Sequence, residues 1–74
     1  MTSGRFRELL DAWKLTNAEF ARLLGITDRH VRRYISGEHG IPTPTAMLLE
    51  FAFARRISLE EISQLYNREK KRAR

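Results

Sequence analysis

The amino-acid sequence predicts an all-α fold, with five helices in one small domain, and three kinds of observation support this prediction. Apolar residues recur at helical spacing, as in Phe6, Leu9, Leu10 and Trp13, which share one face of a helix. Cap residues and glycines divide the chain into five such segments. No strand pattern, internal repeat or interdomain linker interrupts them.

The first two predicted helices are defined by their ends. Thr2 or Ser3 can cap the first helix. Thr16 and Glu19 have the spacing of a capping box, in which each side chain binds a free backbone N–H of the other residue, and they open the second helix. Gly25 ends it, because glycine adopts the left-handed conformation without steric penalty.

The third and fourth helices carry the same signals. Thr27 can cap the third helix, which Gly37 closes. Thr43 as the cap, with Pro44 at the first helical position, starts a fourth helix that runs to about Arg55. Proline is favourable there because its missing N–H would be unsatisfied in any case.

The fifth predicted helix runs into a basic C-terminal segment. Ser58 and Glu61 repeat the capping-box spacing. The last eight residues, NREKKRAR, hold five basic groups and one acid and so contribute +4 to the net charge of +5. We expect one folded domain over residues 1–68 and a basic tail over residues 69–74. The tail is either a solvated helix end or an auxiliary arm that binds phosphate.

Composition argues against several classes of protein. The chain has no cysteine, and its two histidines lack further ligands at metal spacing, so no metal or other cofactor is expected. No apolar stretch has the length of a signal peptide or membrane span, so we expect a cytoplasmic protein with no membrane partner. The carboxylates are scattered and no Ser/His/Asp set is evident, so we do not expect an enzyme.

The spacing between the second and third helices indicates a helix-turn-helix. Two short helices that cross through a tight turn need a small side chain where their backbones approach. Ala21 supplies that side chain, and Gly25 makes the turn. The apolar positions expected to hold the second helix of the pair against the domain are Phe20, Leu24, Ile26, Val31 and Tyr34.

The segment LTNAEFARLLGITDRHVRRYISG, followed by a loop and the helix IPTPTAMLLEFA, resembles the lambda-repressor-like, or XRE-type, DNA-binding family over about residues 5 to 66. The chain is also similar to small phage and mobile-element regulators of that family, including anti-CRISPR-associated repressors. The resemblance implies sequence-specific binding of double-stranded DNA, with the start of the third helix in the major groove. The base-reading positions that it implies are Thr27, Asp28, Arg29, Arg32 and Arg33.

The arginines of the third helix share one of its faces. At about 100° per residue, a charged arc contains Asp28, Arg29, Arg32, Arg33 and Ser36, and the opposite arc contains Val31, Tyr34 and Ile35. An arginine fork can donate two hydrogen bonds to guanine, which favours Arg29 and Arg33 as base readers. Arg32 either reads a base or pairs with Asp28 one turn earlier. Asp28 in turn either orients an arginine or accepts from cytosine.

Phosphate contacts are expected at two places. The start of the second helix offers free N–H groups and a favourable dipole. The end of the third helix and the loop after it offer further donors. The candidate residues are Asn17, Tyr34, Ser36, Gly37 and His39. Asn17 and His39 have the alternative of being ordinary first-turn and loop residues, and Tyr34 that of a core residue.

The fourth helix carries more apolar surface than one small core can bury, which indicates a homodimer. The candidate interface residues are Phe51, Phe53, Leu59, Ile62, Leu65 and Tyr66. We expect a homodimeric repressor, acting also on its own gene, that binds an inverted repeat. No effector domain fits in 74 residues, so no small-molecule effector is expected. The alternatives are an antitoxin of the same fold, which also binds a toxin, and a non-specific chromatin-like or RNA-binding protein.

Overall fold

Five α-helices follow one another in the part of the chain that the computed structural model describes, which is residues 1–72, with side chains described for residues 1–69. They are α1 (Ser3–Trp13), α2 (Asn17–Leu24), α3 (Asp28–Ser36), α4 (Thr43–Arg55) and α5 (Leu59–Arg72). No strand occurs within residues 1–72. The predicted all-α fold of five helices is confirmed. α5 continues without interruption past residue 68, the predicted end of the domain, to Arg72.

The predicted N-caps of the first three helices are confirmed. The hydroxyl oxygens of Thr2 and Thr27 each accept the backbone N–H three residues further on, both at 3.0 Å. Thr16 and Glu19 form both bonds of the capping box, at 3.1 and 2.8 Å. Because the Glu19 carboxylate accepts the backbone N–H of Thr16, its pKa is held below the ordinary value. Each of these ends is determined within four consecutive residues.

The start of α4 differs from the prediction by one residue. Pro42 is the cap, the helix begins at Thr43, and Pro44 lies in its first turn without a side-chain cap. The physical reason is that the Pro42 carbonyl accepts the N–H of Ala46 at 2.9 Å and so makes the first helical bond. The Thr43 hydroxyl is therefore not needed as a cap.

α5 has half of the predicted capping box. The Ser58 hydroxyl accepts the backbone N–H of Glu61 at 3.1 Å. Within the described residues, the backbone N–H of Ser58 donates no hydrogen bond to the Glu61 carboxylate. The helix start is nevertheless where the spacing placed it, because one satisfied donor is enough to favour the first turn.

Three helices end in the same way. α1, α2 and α4 are each followed by a residue in the left-handed conformation, Lys14 (φ 57°), Gly25 (φ 71°) and Arg56 (φ 57°). The N–H of the next residue then donates to the carbonyl five residues earlier, at 2.9 to 3.1 Å. That next residue is a half-buried aliphatic one each time: Leu15, Ile26 and Ile57. The turns therefore add side chains to the edge of the core.

The core is centred on the ring of Phe6. This ring meets Phe20 and Tyr34 edge to face, with centroid distances of 5.2 and 5.5 Å, and so joins α1 to α2 and α3. Leu24 and Ile26, expected to be fully buried, are only half-buried because they lie at the turn on the rim of the domain. The buried residues are Phe6, Leu9, Leu10, Phe20, Ala21, Val31, Tyr34, Leu49, Ala52 and Leu59.

An ion pair that the sequence did not predict joins α1 to α4. The Arg5 guanidinium donates two hydrogen bonds to the Glu50 carboxylate, from Nε at 2.9 Å and from Nη2 at 2.8 Å. It also contacts Glu8 and lies 5.4 Å from the ring centroid of Phe53. The hydrogen bonds from Arg5 hold the pKa of Glu50 below its ordinary value, and those to Glu50 and Glu8 raise the pKa of Arg5.

Replacing Glu50 with Gln is expected to lower the melting temperature at neutral pH. Because the pKa of Glu50 is lowered in the folded state, its carboxylate stabilises the fold above the unfolded pKa, and this contribution disappears as pH falls through the folded pKa. Melting curves of wild type and variant should therefore converge between about pH 5 and pH 2. Glu60→Gln, which removes an exposed carboxylate in α5, is the control, and an equal pH response in both variants would contradict this expectation.

Candidate nucleic-acid interface

The two faces of α3 have opposite environments. Val31 is fully buried and Tyr34 is 6% exposed, whereas Asp28, Arg29 and Arg32 point to solvent. The predicted separation of an apolar arc from a charged arc is confirmed. It follows from packing, because α3 lies against both α1 and α2 on its apolar side. The charged side is thereby held outward at the surface of the domain.

A shallow open groove runs along this charged side. It is lined by Arg29, Arg32, Arg33, Ser36 and Glu38. Three of the five expected base-reading residues therefore lie together in one groove, with one of the expected phosphate-binding residues beside them. The sequence did not predict Glu38 in this groove. Its position just after the end of α3 is the one feature of the sequence that points to it.

Arg29 and Arg32 differ in what they contact. Arg32 Nη1 lies 3.6 Å from an Asp28 carboxylate oxygen, and both side chains are largely exposed, so the pair contributes little stability. Arg29 makes no hydrogen bond or ion pair with any of the described side chains. Its fork is therefore unengaged, one position inside the start of α3.

Arg33 is held in place by the loop that follows α3. Its Nε lies 3.4 Å from a Glu38 carboxylate oxygen, and its Nη1 lies 3.3 Å from His39 Nε2. The side chain is only 33% exposed, about half the exposure of Arg32. Arg33 is thus the ordered arginine of the charged face, and Arg29 is the unpaired one.

The loop after α3 folds back over the last turn of the helix. Gly37 takes the left-handed conformation, with φ 84°, and lets the chain reverse. The Arg33 carbonyl then accepts both the Ser36 hydroxyl, at 3.1 Å, and the backbone N–H of His39, at 3.2 Å. The Ser36 oxygen in turn accepts the N–H of Glu38 at 3.2 Å. Ser36 and His39 therefore already make internal contacts where phosphate contacts were expected.

The start of α2 lies next to the charged face. Asn17 is half-buried in a second groove, between α1 and α3, which also holds Arg32 and Ser36. Arg7 of α1 lines the same groove and adds a cation that the motif did not indicate. Its position depends on the packing of α1 against α3, so no local pattern could have predicted it.

Two residues predicted to contact DNA have structural roles. The Thr27 hydroxyl oxygen caps α3, which leaves its O–H proton available as a donor. The Tyr34 hydroxyl lies 3.0 Å from His30 Nε2, and the Tyr34 ring packs on Phe6 in the core. Tyr34 is therefore a core residue, one of the two alternatives, and a phosphate contact by its hydroxyl stays a prediction.

The expected dimer residues divide into exposed and buried groups. Phe51, Leu65 and Tyr66 are 54 to 65% exposed. Leu59 is only 4% exposed, and Phe53 and Ile62 are half-buried against the core, with Phe53 stacked edge to face on Trp13. These three residues therefore pack within one chain, and their part in a dimer interface stays a prediction. Met47 and Leu48 of α4, which were not included, are exposed instead.

Most of the basic tail lies outside the residues whose side chains the structure describes. Lys70, Lys71, Arg72 and Arg74 were expected to form it, and their side chains lie outside the described residues. None of the helices in the described part of the chain has the length and apolar character needed to cross a membrane.

Replacing Tyr34 with Phe is expected to cost about 0.5 to 1.5 kcal/mol of unfolding free energy, the usual contribution of one internal hydrogen bond. The ring contacts with Phe6 remain, and only the bond to His30 is removed. Tyr66→Phe is the matched control, because Tyr66 is 65% exposed, and it should change stability by less than about 0.5 kcal/mol. Urea denaturation measures both, and equal stabilities would show that the Tyr34 hydroxyl contributes nothing.

One of the comparisons with known proteins gives a match. The helix-turn-helix family model matches residues 6–50, which is more than half of the chain and includes most of α1, all of α2 and α3, and the first part of α4. Comparison with curated proteins and with solved structures gives no match. On the matched segment, with α2 and α3 packed through the turn at Gly25, the chain belongs to the XRE-type, lambda-repressor-like helix-turn-helix family of DNA-binding regulators.

Proposed function

We propose that this DNA-binding regulator is a homodimeric repressor, acting also on its own gene, that reads an inverted repeat with α3 in the major groove. The observation that carries the proposal is the two-sided environment of α3. One side is buried in the core, and the other presents arginines along an open groove. A rigid helix that presents forked donors is suited to the edges of guanine bases.

Arg29 and Arg33 are the proposed base readers. Arg29 lies in the first turn of α3, the part of a recognition helix that enters the groove, and its fork has no partner among the described side chains. Arg33 lies one turn later, where it is ordered by Glu38 and His39. Arg32 and Asp28 form a loose exposed pair that can open to make a base or phosphate contact. Thr27 can donate its hydroxyl proton beside them.

Phosphate contacts are proposed on both sides of the groove. Asn17 and the free N–H groups at the start of α2 lie beside Arg32 and Ser36, and a helix N-terminus favours an anion. Arg7 and Asp11 of α1 line the same groove with charges of opposite sign, so the positive charge there comes from Arg7 and Arg32. At the other end, the backbone around Gly37 is exposed. Contacts of this kind fix the register of the protein on DNA but carry no sequence information.

The homodimer is proposed to form through the exposed apolar surface of α4 and α5. One domain of this size contacts only a short stretch of DNA. Two copies related by a twofold axis contact two such stretches, which together form an inverted repeat. The surface consists of Met47, Leu48, Phe51, Leu65 and Tyr66. Leu48 and Tyr66 line one groove, and exposed aromatic and aliphatic side chains of this kind indicate an interaction site. A dimer that covers a promoter represses by exclusion, and no further domain is needed for this.

Replacing Leu65 with Glu is expected to dissociate the dimer and to weaken operator binding. An unpaired carboxylate in an apolar interface is costly to desolvate. Sedimentation at micromolar concentration should show a dimer for the wild type and a monomer for the variant. Gln64→Glu adds the same charge at the neighbouring exposed position of α5 and is the control.

In DNA footprints, the dimer should protect two half-sites about 10 base pairs apart, centre to centre. A wild-type monomer that binds one asymmetric site would overturn the homodimer. If a second small protein then co-purified with the chain, the antitoxin alternative would replace it.

Replacing Arg29 with Ala is expected to cost about 1 to 3 kcal/mol per half-site and to remove the preference for guanine at one base position. Arg29→Lys keeps the charge but loses the fork, so it should lose the same base preference while retaining the salt dependence of binding. Binding to matched and substituted duplexes over a salt series measures both quantities. Retention of base preference in both variants would exclude Arg29 as a base reader.

Deleting residues 70–74 should have a different effect. Loss of Lys70, Lys71, Arg72 and Arg74 removes charge that does not depend on base sequence. If the tail binds DNA, all duplexes should weaken equally, and the salt slope should fall by about 0.9 for each phosphate group that the tail neutralises. Loss of base preference on this deletion would contradict the division between a reading helix and an auxiliary arm.

A further inference from the structure

The loop residue His39 holds Arg33 at two points. Its backbone N–H donates to the Arg33 carbonyl at 3.2 Å, and its ring Nε2 meets Arg33 Nη1 at 3.3 Å. Backbone and side chain of one arginine are thus both tied to one loop residue. We propose that His39 is a positioning residue that aims the Arg33 fork and so determines base preference at one position. This role rests on the proposed base reading by Arg33.

The contact between Arg33 Nη1 and His39 Nε2 requires an acceptor on the His39 ring. Arginine carries five N–H donors and no acceptor, so the atom facing Nη1 must supply a lone pair. His39 Nε2 can do so only in the neutral ring whose proton is on Nδ1. The contact between Arg33 and His39 therefore requires a neutral His39.

The His39 ring is connected to the core through two other rings. It stacks on His30, with centroids 5.7 Å apart and an interplanar angle of 12°. His30 binds the Tyr34 hydroxyl at 3.0 Å and meets the Tyr34 ring edge to face, at 4.7 Å. Tyr34 in turn packs on Phe6. His39 lies in an exposed loop, and these ring contacts connect it to the buried face of α3.

The two partners of Arg33 leave the end of its fork open. Glu38 occupies the Nε side, and His39 occupies one Nη1 donor. Of the five N–H groups, the remaining three are on the two terminal nitrogens, which can donate side by side to the O6 and N7 atoms of guanine. A side chain held on two sides loses less rotamer entropy on binding. This arrangement favours one direction of the fork over the alternatives.

The test compares the variants Arg33→Ala, His39→Ala and His39→Gln with the wild type in the same buffer. Arg33→Ala identifies the base position that Arg33 reads, and the discrimination ratio between guanine and the other bases is then measured there. His39→Ala should lower this ratio about three- to tenfold, less than the full effect of removing an arginine fork.

His39→Gln keeps an acceptor, because the amide oxygen can face Nη1. This variant should therefore retain the wild-type discrimination ratio. Melting curves and helix content of the variants check that the fold is unchanged, as expected for an exposed loop position. Rescue by Gln distinguishes positioning from a general need for a histidine.

Each other outcome overturns the role of His39. If Arg33→Ala removes a base preference and His39→Ala does not, the positioning role fails while base reading stands. If His39→Ala weakens all duplexes equally, His39 is a phosphate contact. If His39→Gln loses discrimination as His39→Ala does, an acceptor at this position is not sufficient and the proposed contact with Arg33 fails. If Arg33→Ala changes no base preference, base reading by Arg33 fails together with the role of His39.

Discussion

The contact of the Phe6 ring with Phe20 and Tyr34 is the interaction on which the rest of the structure depends. It brings α1 against both helices of the helix-turn-helix at once, with ring distances of 5.2 and 5.5 Å. Because Tyr34 lies on the inner side of α3, this contact fixes the rotation of that helix about its own axis. The arginines on the opposite side then face solvent as a consequence of aromatic packing in the core. The packing of α3 on α1 and α2 therefore determines which side of α3 faces outward.

The charged face is more structured than a row of exposed arginines would be. Arg29 is unpaired, Arg32 has a loose partner in Asp28, and Arg33 is held by the loop after α3. An unpaired guanidinium keeps all its donors available, whereas a guanidinium held on two sides has a fixed direction. The loop at residues 37–39 therefore shapes the charged face as much as α3 does. It also links that face to the core through the rings of His30 and Tyr34.

The apolar surface on α4 and α5 follows from the size of the chain. Among the described residues, ten apolar side chains are buried in the core, and five helices offer more apolar residues than a core of this volume can cover. The surplus lies on α4 and α5, which do not line the groove of charged residues along α3. The proposed base reading and the proposed dimer contacts therefore lie on separate helices. The Arg5–Glu50 pair stiffens the connection between these two parts by joining α1 to α4.

The sequence by itself determined the five helices, most of their caps, the turn at Gly25 and the face of α3 that carries the arginines. These features depend on residues within about five positions of one another, so spacing and backbone chemistry are sufficient to predict them. Only the tertiary structure placed Arg5 on Glu50, forty-five residues away, put Arg7 beside Asn17, and buried Leu59 while leaving Met47 exposed. Likewise, the hold of Glu38 and His39 on Arg33 needed the reversal of the chain at Gly37. Each of these outcomes depends on how helices pack or how a loop returns, and residues distant in sequence carry no local pattern that reports it.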